Sequence, residues 1–377
     1  MEPTELNPRD RRPRLLHVFP SFGYGGQQAR FASIANGLGA RYAWHVVSLS
    51  EDFSAQALLN DASRFTFYGL NIGDSAVALL QNRAKFKALF KKTDPDLLCT
   101  YNWGAIEAAA AWPVTRAHAR IHFEDGFGPY ENITRQHRRR VWARRLILSK
   151  GKTVVPSRAL ETVAHERWRI PPSALQHIPN GVHFDRFQQT RTARQSGVVV
   201  GTIGALRPEK NFMRLISAFS SVTSAADARL VIVGDGPVRD QLRRLAIDRN
   251  LADRIQFIGA TPTPENLYKD FDVFALSSDT EQAPLTLLEA MASGLPIVAT
   301  DVGDIATIVS AENKRFVMPL GDDGLYASAL SQLIESPNLR AALGAANRKR
   351  ARDEFDAKKM IARHHALYQS VLERHAN

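Results

Sequence analysis

The chain has 377 residues, 44% hydrophobic and 23% charged, with 49 Lys and Arg against 38 Asp and Glu for a net charge of +11. That mixture, at a mean hydropathy of -0.24, can bury proper cores, so a disordered or collagen-like chain is excluded and two or three domains are expected. Cys99 is the only cysteine, which excludes a disulfide framework or a Cys-rich metal site; no apolar run reaches the ~18 residues of a membrane span.

Strand-like apolar runs alternate with longer amphipathic stretches, the pattern of βα units around parallel sheets. In the first half, Leu15–Phe19 reads as a strand, followed by a turn with Gly23, Gly25 and Gly26 and a helix through Phe31, Ile34 and Leu38. Trp44–Leu49, Asp96–Thr100, Arg120–Phe123 and Thr153–Val155 read as further strands. The polar stretch 188–197 reads as a linker. The pattern then restarts, with strands predicted at 198–203, 230–233, 255–259, 272–276, 296–300 and 316–319. Two doubly wound domains follow, over 1–187 and 198–355, with a helical tail over 356–377 carrying Phe355, Met360, Ile361 and Tyr368 in or beside it. Ligands of such folds sit at the carboxyl ends of the strands, and the cleft between two such domains is the expected site.

The segment from Glu281 to Met291 carries the most chemistry. Pro284 suits a first helical position, which leaves Glu281 in the preceding loop. At 100° per residue from Leu285, Glu289 falls at 40°, on the margin of the apolar stripe. A carboxylate there needs a partner, because an unpaired buried charge costs several kcal/mol, roughly. No Lys or Arg lies between Lys269 and Lys314, although eight acids do. The partner therefore comes from elsewhere in the fold or from a ligand rich in hydroxyl donors.

A cationic turn, Gly204-Ala205-Leu206-Arg207-Pro208-Glu209-Lys210-Asn211, joins a predicted strand to a predicted helix. Free amides at such a junction, with two cations beside them, suit a diphosphate. Gly234-Asp235-Gly236-Pro237 follows another strand. Neither glycine run is a dinucleotide fingerprint, and no P-loop pattern occurs.

Taken together, these motifs resemble the retaining glycosyltransferases of the GT-B fold, family 4 (glycosyl transferases group 1). The resemblance rests on the Gly25-Gly26 loop, Ile178-Pro179-Asn180-Gly181-Val182 and the Arg207-to-Asn211 turn. It rests equally on Val233-to-Pro237 and on Glu281…Glu289 with Ala-Met-Ala-Ser-Gly-Leu-Pro behind it. It implies two Rossmann-like domains facing a central cleft, with a last helix crossing back to the first domain. It implies that Glu289 accepts hydrogen bonds from the ribose of a nucleotide-sugar and that Glu281 contacts the transferred sugar. Lys210 and Arg207 would neutralise the diphosphate. Gly204, Gly234, Ala283, Leu285 and Thr286 would line the donor, and the Gly25-Gly26 loop would close on the phosphates. No metal or other cofactor is expected. In the family, a first-domain His near a strand end often touches the donor; here Ile121-His122-Phe123-Glu124-Asp125-Gly126 leaves His122 and Asp125 both open as catalytic residues. The sequence departs from the family at Ala205, where Arg is common, and at Pro284, where Gly is common.

Charge is uneven. Residues 1–190 hold 26 cations against 16 acids, whereas 191–377 hold 23 against 22. Two stretches concentrate the excess. Arg83 to Lys92 includes Lys87 among Phe86, Leu89 and Phe90, and Arg135 to Lys150 includes Arg138, Arg139, Arg144 and Arg145 around Trp142. Basic helices with aromatics suit an anionic membrane face. The expectation is a cytoplasmic enzyme, peripheral on the inner membrane face, that moves a sugar from a UDP- or GDP-linked donor to a lipid-linked or glycan acceptor. A GT-B nucleotide-sugar epimerase and a nonenzymatic nucleic-acid binder are the rivals. The paired acids speak against the second, and no nucleic-acid motif occurs.

Overall fold

The structure is a computed structural model describing residues 11–376 except 74, 114–118, 128–130, 188–196, 223–226 and 262. The expected linker, 188–197, thus lies almost wholly outside the described residues. The chain divides into two compact units: Met1–Ile178 with Met360–Asn377, and Pro179–Lys359.

The first unit is built on a seven-stranded sheet. Its strands are β1 (Arg14–Phe19), β2 (Ala43–Ser48), β3 (Phe65–Gly69), β4 (Leu97–Tyr101), β5 (Ala119–Phe123), β6 (Lys152–Val155) and β7 (Leu175–His177). They run in the order β3-β2-β1-β4-β5-β6-β7, every neighbouring pair parallel. Parallel strands covered on both faces read as continuous apolar runs, and β4 and β5 are buried throughout. β3 and β7 were not expected. β7 has only three residues, too few to form a pattern, and β3 lies in an aromatic segment, Phe65-Thr66-Phe67-Tyr68.

An aromatic layer fills one side of this sheet. Phe19 stacks on Tyr101 at 3.9 Å, and Tyr101 stacks on Phe123 at 4.9 Å. The last helix, Ala357–Ala376, adds Met360, Leu367, Tyr368 and Val371 to the same core. At about 1.5–3 kcal/mol per large side chain buried, those four hold the helix firmly.

The second unit has six strands: β8 (Val199–Ile203), β9 (Arg229–Val233), β10 (Ile255–Ile258), β11 (Val273–Leu276), β12 (Ile297–Thr300) and β13 (Val317–Met318). Their order is β10-β9-β8-β11-β12-β13, again all parallel. All six match runs read from the sequence. The unit begins earlier than the expected domain start at 198. Val182, Phe184 and Phe187 belong to its core, and Val182 bridges in parallel to Asp356. Residues 179–187 therefore belong to the second unit, not to the first domain, and the chain leaves that unit beside where it enters.

In both sheets the strand order reverses next to the first strand, between β1 and β4 and between β8 and β11. Crevices at the carboxyl ends of strands flanking such a reversal are where open α/β sheets take ligands.

Candidate functional site

In the second unit, the expected cationic turn leaves β8 at that reversal. Pro208–Lys210 forms a 3₁₀ turn, and Asn211 then adopts a left-handed conformation, its side chain accepting from the Arg214 amide to cap helix Phe212–Ser220. The loop after β11 is stitched to this turn. Ser277 Oγ donates to the Lys210 carbonyl (3.1 Å), the Asp279 amide donates to the Glu209 carbonyl (2.8 Å), and Arg214 donates to the Ser277 carbonyl (2.7 Å).

That stitching brings Lys210 and Glu281 together. Lys210 Nζ lies 2.5 Å from Glu281 Oε1, which also accepts from Ser278 Oγ at 2.8 Å. The Glu281 side chain is 9% exposed and that of Lys210 27%. Arg207 is exposed and makes no ion pair with either acid among the described residues. The loop is pressed from behind by Gly303, at φ +59°, where a Cβ would meet the Glu281 carbonyl at 2.5 Å. Ala283 is buried, its carbonyl accepting from Asn180 Nδ2 at 2.7 Å.

Pro284 caps the next helix, Leu285–Ala292, rather than occupying its first turn. Leu285 and Thr286 open that helix with no side-chain cap and no acid in the first turn, and the leading amides of a helix have no intrahelical acceptor. Glu289, one turn on, is half-buried. Its partner is not a cation: Tyr268 Oη donates to Glu289 Oε2 at 2.6 Å. Burial holds the Glu289 carboxyl above its usual range. The Tyr268 hydrogen bond pulls it back, the charge of Glu265 pushes it further up, and Arg186 opposes. The partner of Glu289 thus comes from elsewhere in the fold, as its charge-poor segment requires, and it is a neutral hydroxyl. A phenol hydroxyl suffices for an acid already inclined to hold its proton. Glu281 and Glu289 do not share the two cations.

Gly204 and Gly234 follow β8 and β9. A Cβ on Gly234 (φ +137°) would come within 2.0 Å of the Gly204 carbonyl. Close packing of the two turns explains glycine at Gly234 without a ligand.

In the first unit, Gly25 precedes helix Gly26–Leu38, which has no side-chain cap and no acid in its first turn; Gly25 and Gly26 are exposed. The first turns of this helix grip Asp125. Arg30 makes a bidentate ion pair with the Asp125 carboxylate, with Nη2 2.8 Å from Oδ2, and Gln27 Nε2 donates to Oδ2 at 2.7 Å. The Asp125 amide donates to Asn102 Oδ1 at 2.7 Å. Asp125 thus stands at the carboxyl end of β5. His122 does not: it is wholly buried within β5, bonded to Thr100 Oγ1 (2.8 Å) and facing Glu124 (3.4 Å). Burial lowers its pKa. His122 is thus sealed in the sheet, whereas Asp125 keeps partial exposure at its end. Arg30 went unnoticed in the sequence, since 95 residues separate it from Asp125.

The two basic stretches also separate. In helix Ala76–Thr93, Arg83 and Lys87 are exposed, but Phe86, Leu89 and Phe90 face the core. In helix Arg138–Leu148, Arg138 and Arg139 are exposed, and Trp142 (58%) and Leu146 (69%) point outward together. Arg145 stacks on Trp142 and donates to the Arg167 carbonyl. Arg144 is no surface cation: it is wholly buried, bonded to Glu124 at 3.0 Å and stacked against Trp103 and Trp168. Among the described residues no helix is long and apolar enough to cross a membrane, and no group of three His, Cys, Asp or Glu is placed to hold a metal ion.

Comparison with known proteins agrees with this architecture. The chain is 26% identical over 232 residues to N-acetyl-alpha-D-glucosaminyl L-malate synthase of Bacillus anthracis, covering 60% of this chain and 58% of that protein. It is 31% identical over 198 residues to the GDP-mannose-dependent alpha-(1-6)-phosphatidylinositol monomannoside mannosyltransferase of Mycobacterium tuberculosis, covering 48% and 51%. The chain spans little more than half the length of these curated relatives. The crystal structure of Anabaena Alr3699/HepE in complex with UDP superposes with a TM-score of 0.77 at 19% identity, covering 95% of this chain and 100% of that one. The fold is GT-B: two Rossmann-like parallel α/β sheets. The family model Glycosyltransferase Family 4 matches residues 24–186 and the model Glycosyl transferases group 1 matches 184–350; the chain belongs to this glycosyltransferase family.

Proposed function

We propose that the protein is a retaining, metal-independent glycosyltransferase that moves a sugar from a UDP- or GDP-linked donor to a lipid-linked or glycan acceptor. The observation that carries this reading is the Lys210–Glu281 pair at the strand-order reversal of the second sheet. Lys210 is a partly exposed point charge paired to Glu281, which lies in the loop just before the uncapped start of helix Leu285–Ala292, and Arg207 is exposed on the same turn as Lys210. A leaving diphosphate gathers charge as the glycosidic bond breaks, and fixed cations and amides stabilise it. The sugar passes through an oxocarbenium-like state, next to which a carboxylate such as Glu281 is favourable. Glu289 accepts from the ribose, and the amides of Leu285 and Thr286 meet phosphate or sugar oxygens. Gly204 and Ala283 line the donor. Asp125 accepts from a hydroxyl of the reacting sugars. The leaving phosphate, rather than a protein base, takes the acceptor proton.

The acceptor side follows from the first unit. Trp142 and Leu146, flanked by Arg138, Arg139 and Arg145, suit an anionic membrane surface on the cytoplasmic side. The M. tuberculosis relative, whose name includes phosphatidylinositol monomannoside, supports a lipid-linked acceptor. The test is a thermal-shift screen of UDP, GDP, ADP and their sugars, followed by transfer assays on Lys210→Ala, Glu281→Ala and Glu289→Ala. A ligand of the folded state raises the melting temperature. No shift with any nucleotide, or wild-type transfer by all three variants, would remove the reading.

A further inference from the structure

Glu289 is held in an unusual way for an acid expected to meet a ligand. Tyr268 closes helix Glu265–Tyr268, is buried, and packs against Phe187, Phe271 and Phe274. Those rings leave its hydroxyl little freedom. The hydroxyl donates to Glu289 Oε2 at 2.6 Å, and also lies 3.4 Å from the Thr286 carbonyl. Glu289 Oε1 makes no hydrogen bond among the described residues, and the residue keeps partial exposure. One carboxylate oxygen is thus anchored to the core and the other is left for an incoming donor group.

Resting on the reading of Glu289 as the ribose acceptor, we propose that Tyr268 is a positioning residue. It orients the Glu289 carboxylate toward a ribose diol and so sets selectivity for ribonucleotides over deoxyribonucleotides. The chemistry follows from what each group can do. A phenol hydroxyl has one proton to give, and giving it to Oε2 fixes the carboxylate plane. A ribose hydroxyl then meets Oε1 in a preset direction, whereas a deoxyribose leaves that oxygen without its partner, the kind of loss that makes polar sites selective.

The same bond tunes protonation. Burial raises the Glu289 carboxyl, and the Tyr268 hydroxyl lowers it by stabilising the anion. The charged groups acting on Glu289 besides Tyr268 are Glu265, on the helix that Tyr268 closes, and Arg186, from the turn Phe184–Phe187, which is itself ion-paired to Glu265. Ribose binding needs the ionised acceptor, so it weakens as pH falls through the Glu289 pKa. Without the phenol hydroxyl, that weakening begins at higher pH.

The experiment uses the full chain and its Tyr268→Phe, Glu289→Gln and doubly substituted forms. Calorimetric affinities for UDP and GDP, and for their 2′,3′-dideoxy counterparts, are measured from pH 5.5 to 8.5. The wild type should prefer the ribonucleotide by about tenfold or more. Tyr268→Phe should lose most of that preference through weaker ribonucleotide binding, with dideoxynucleotide affinity nearly unchanged, and its acid limb should move up in pH. In the Glu289→Gln background, Tyr268→Phe should change nothing further, because it acts through the carboxylate. This double-mutant cycle also separates orientation from any general loosening of the fold. Ribose preference and acid limb unmoved by Tyr268→Phe, or additive effects in the double variant, would overturn the inference. A wild type that binds nucleotides without ribose preference would instead strike the role given to Glu289, and one that binds no nucleotide would strike the proposed function.

Discussion

At the carboxyl ends of both sheets an acid meets a cation, but the two meetings differ in kind. Asp125 in the first unit is gripped by Arg30, 3% exposed, through a planar two-pronged pair, with Gln27 and Asn102 as further anchors. Glu281 in the second unit meets Lys210 through one ammonium contact, and that lysine keeps 27% exposure. Guanidinium forks fix geometry, whereas an ammonium on a flexible stem exchanges partners readily. The first pair is built to hold a carboxylate still. The second, with its cation partly exposed on a flexible stem, is the one proposed to exchange its acid for another anion. Charge pairing at a strand end therefore does not by itself say which role a residue has; burial and fork geometry do.

The deepest version of the holding type is Arg144 with Glu124. Both are wholly buried, and the charge of Arg144 together with the contact to His122 outweighs burial to keep Glu124 ionised. Arg144→Ala would strand that charge. We expect a loss of about 3–5 kcal/mol, read by urea denaturation and by the fluorescence of the neighbouring Trp168. A loss under 1 kcal/mol would place this pair with the exchangeable type.

Acid should divide the two units next. His17 and His364, both in the first unit, are wholly buried and their pKa values are pushed down to about 3. The unfolded chain binds protons near pH 6.5, so folded stability is complete above that pH and falls as pH drops below it. At pH 5 each histidine should cost about 2 kcal/mol. Circular dichroism and amide exchange between pH 7 and 5 should show the first unit opening before the second; simultaneous opening would contradict this.

Lys210→Ala tests the exchangeable pair directly. Transfer should fall about 100-fold, the scale of losing one charge-stabilising donor, while stability changes by about 1 kcal/mol or less, as for a partly exposed ion pair. A large melting shift would make Lys210 a holding residue like Arg30. Arg30→Lys should cost about 1–2 kcal/mol of stability, because a lysine keeps the charge but not the fork. The smallest effect expected is at the surface. Replacing Trp142 and Leu146 by Ala should reduce flotation with anionic vesicles severalfold and leave nucleotide binding alone. Equal flotation of both proteins would remove this face from membrane contact.

How much of this could be read beforehand depended on the range over which each cause acts. All six strands of the second sheet were readable because a parallel strand buried on both faces needs an unbroken apolar run. Glu281, Lys210 and Glu289 stood out because their residue types were conspicuous in their local settings. Contacts group 179–187 with the second unit although in the sequence the segment looks like an approach to a polar linker, because only packing shows Val182, Phe184 and Phe187 to be core. His122 and Asp125 could not be told apart, since they lie only three positions apart, on either side of the end of β5.

Local sequence therefore determined which segments become strands and helices, because periodicity and turn chemistry act over a few residues. Tertiary structure alone decided the partners: Lys210 with Glu281 across 71 residues, Tyr268 with Glu289 across 21, and Arg30 with Asp125 across 95. A residue's face on its own element follows from its neighbours in the chain. Which other element meets that face is settled only when the sheets assemble.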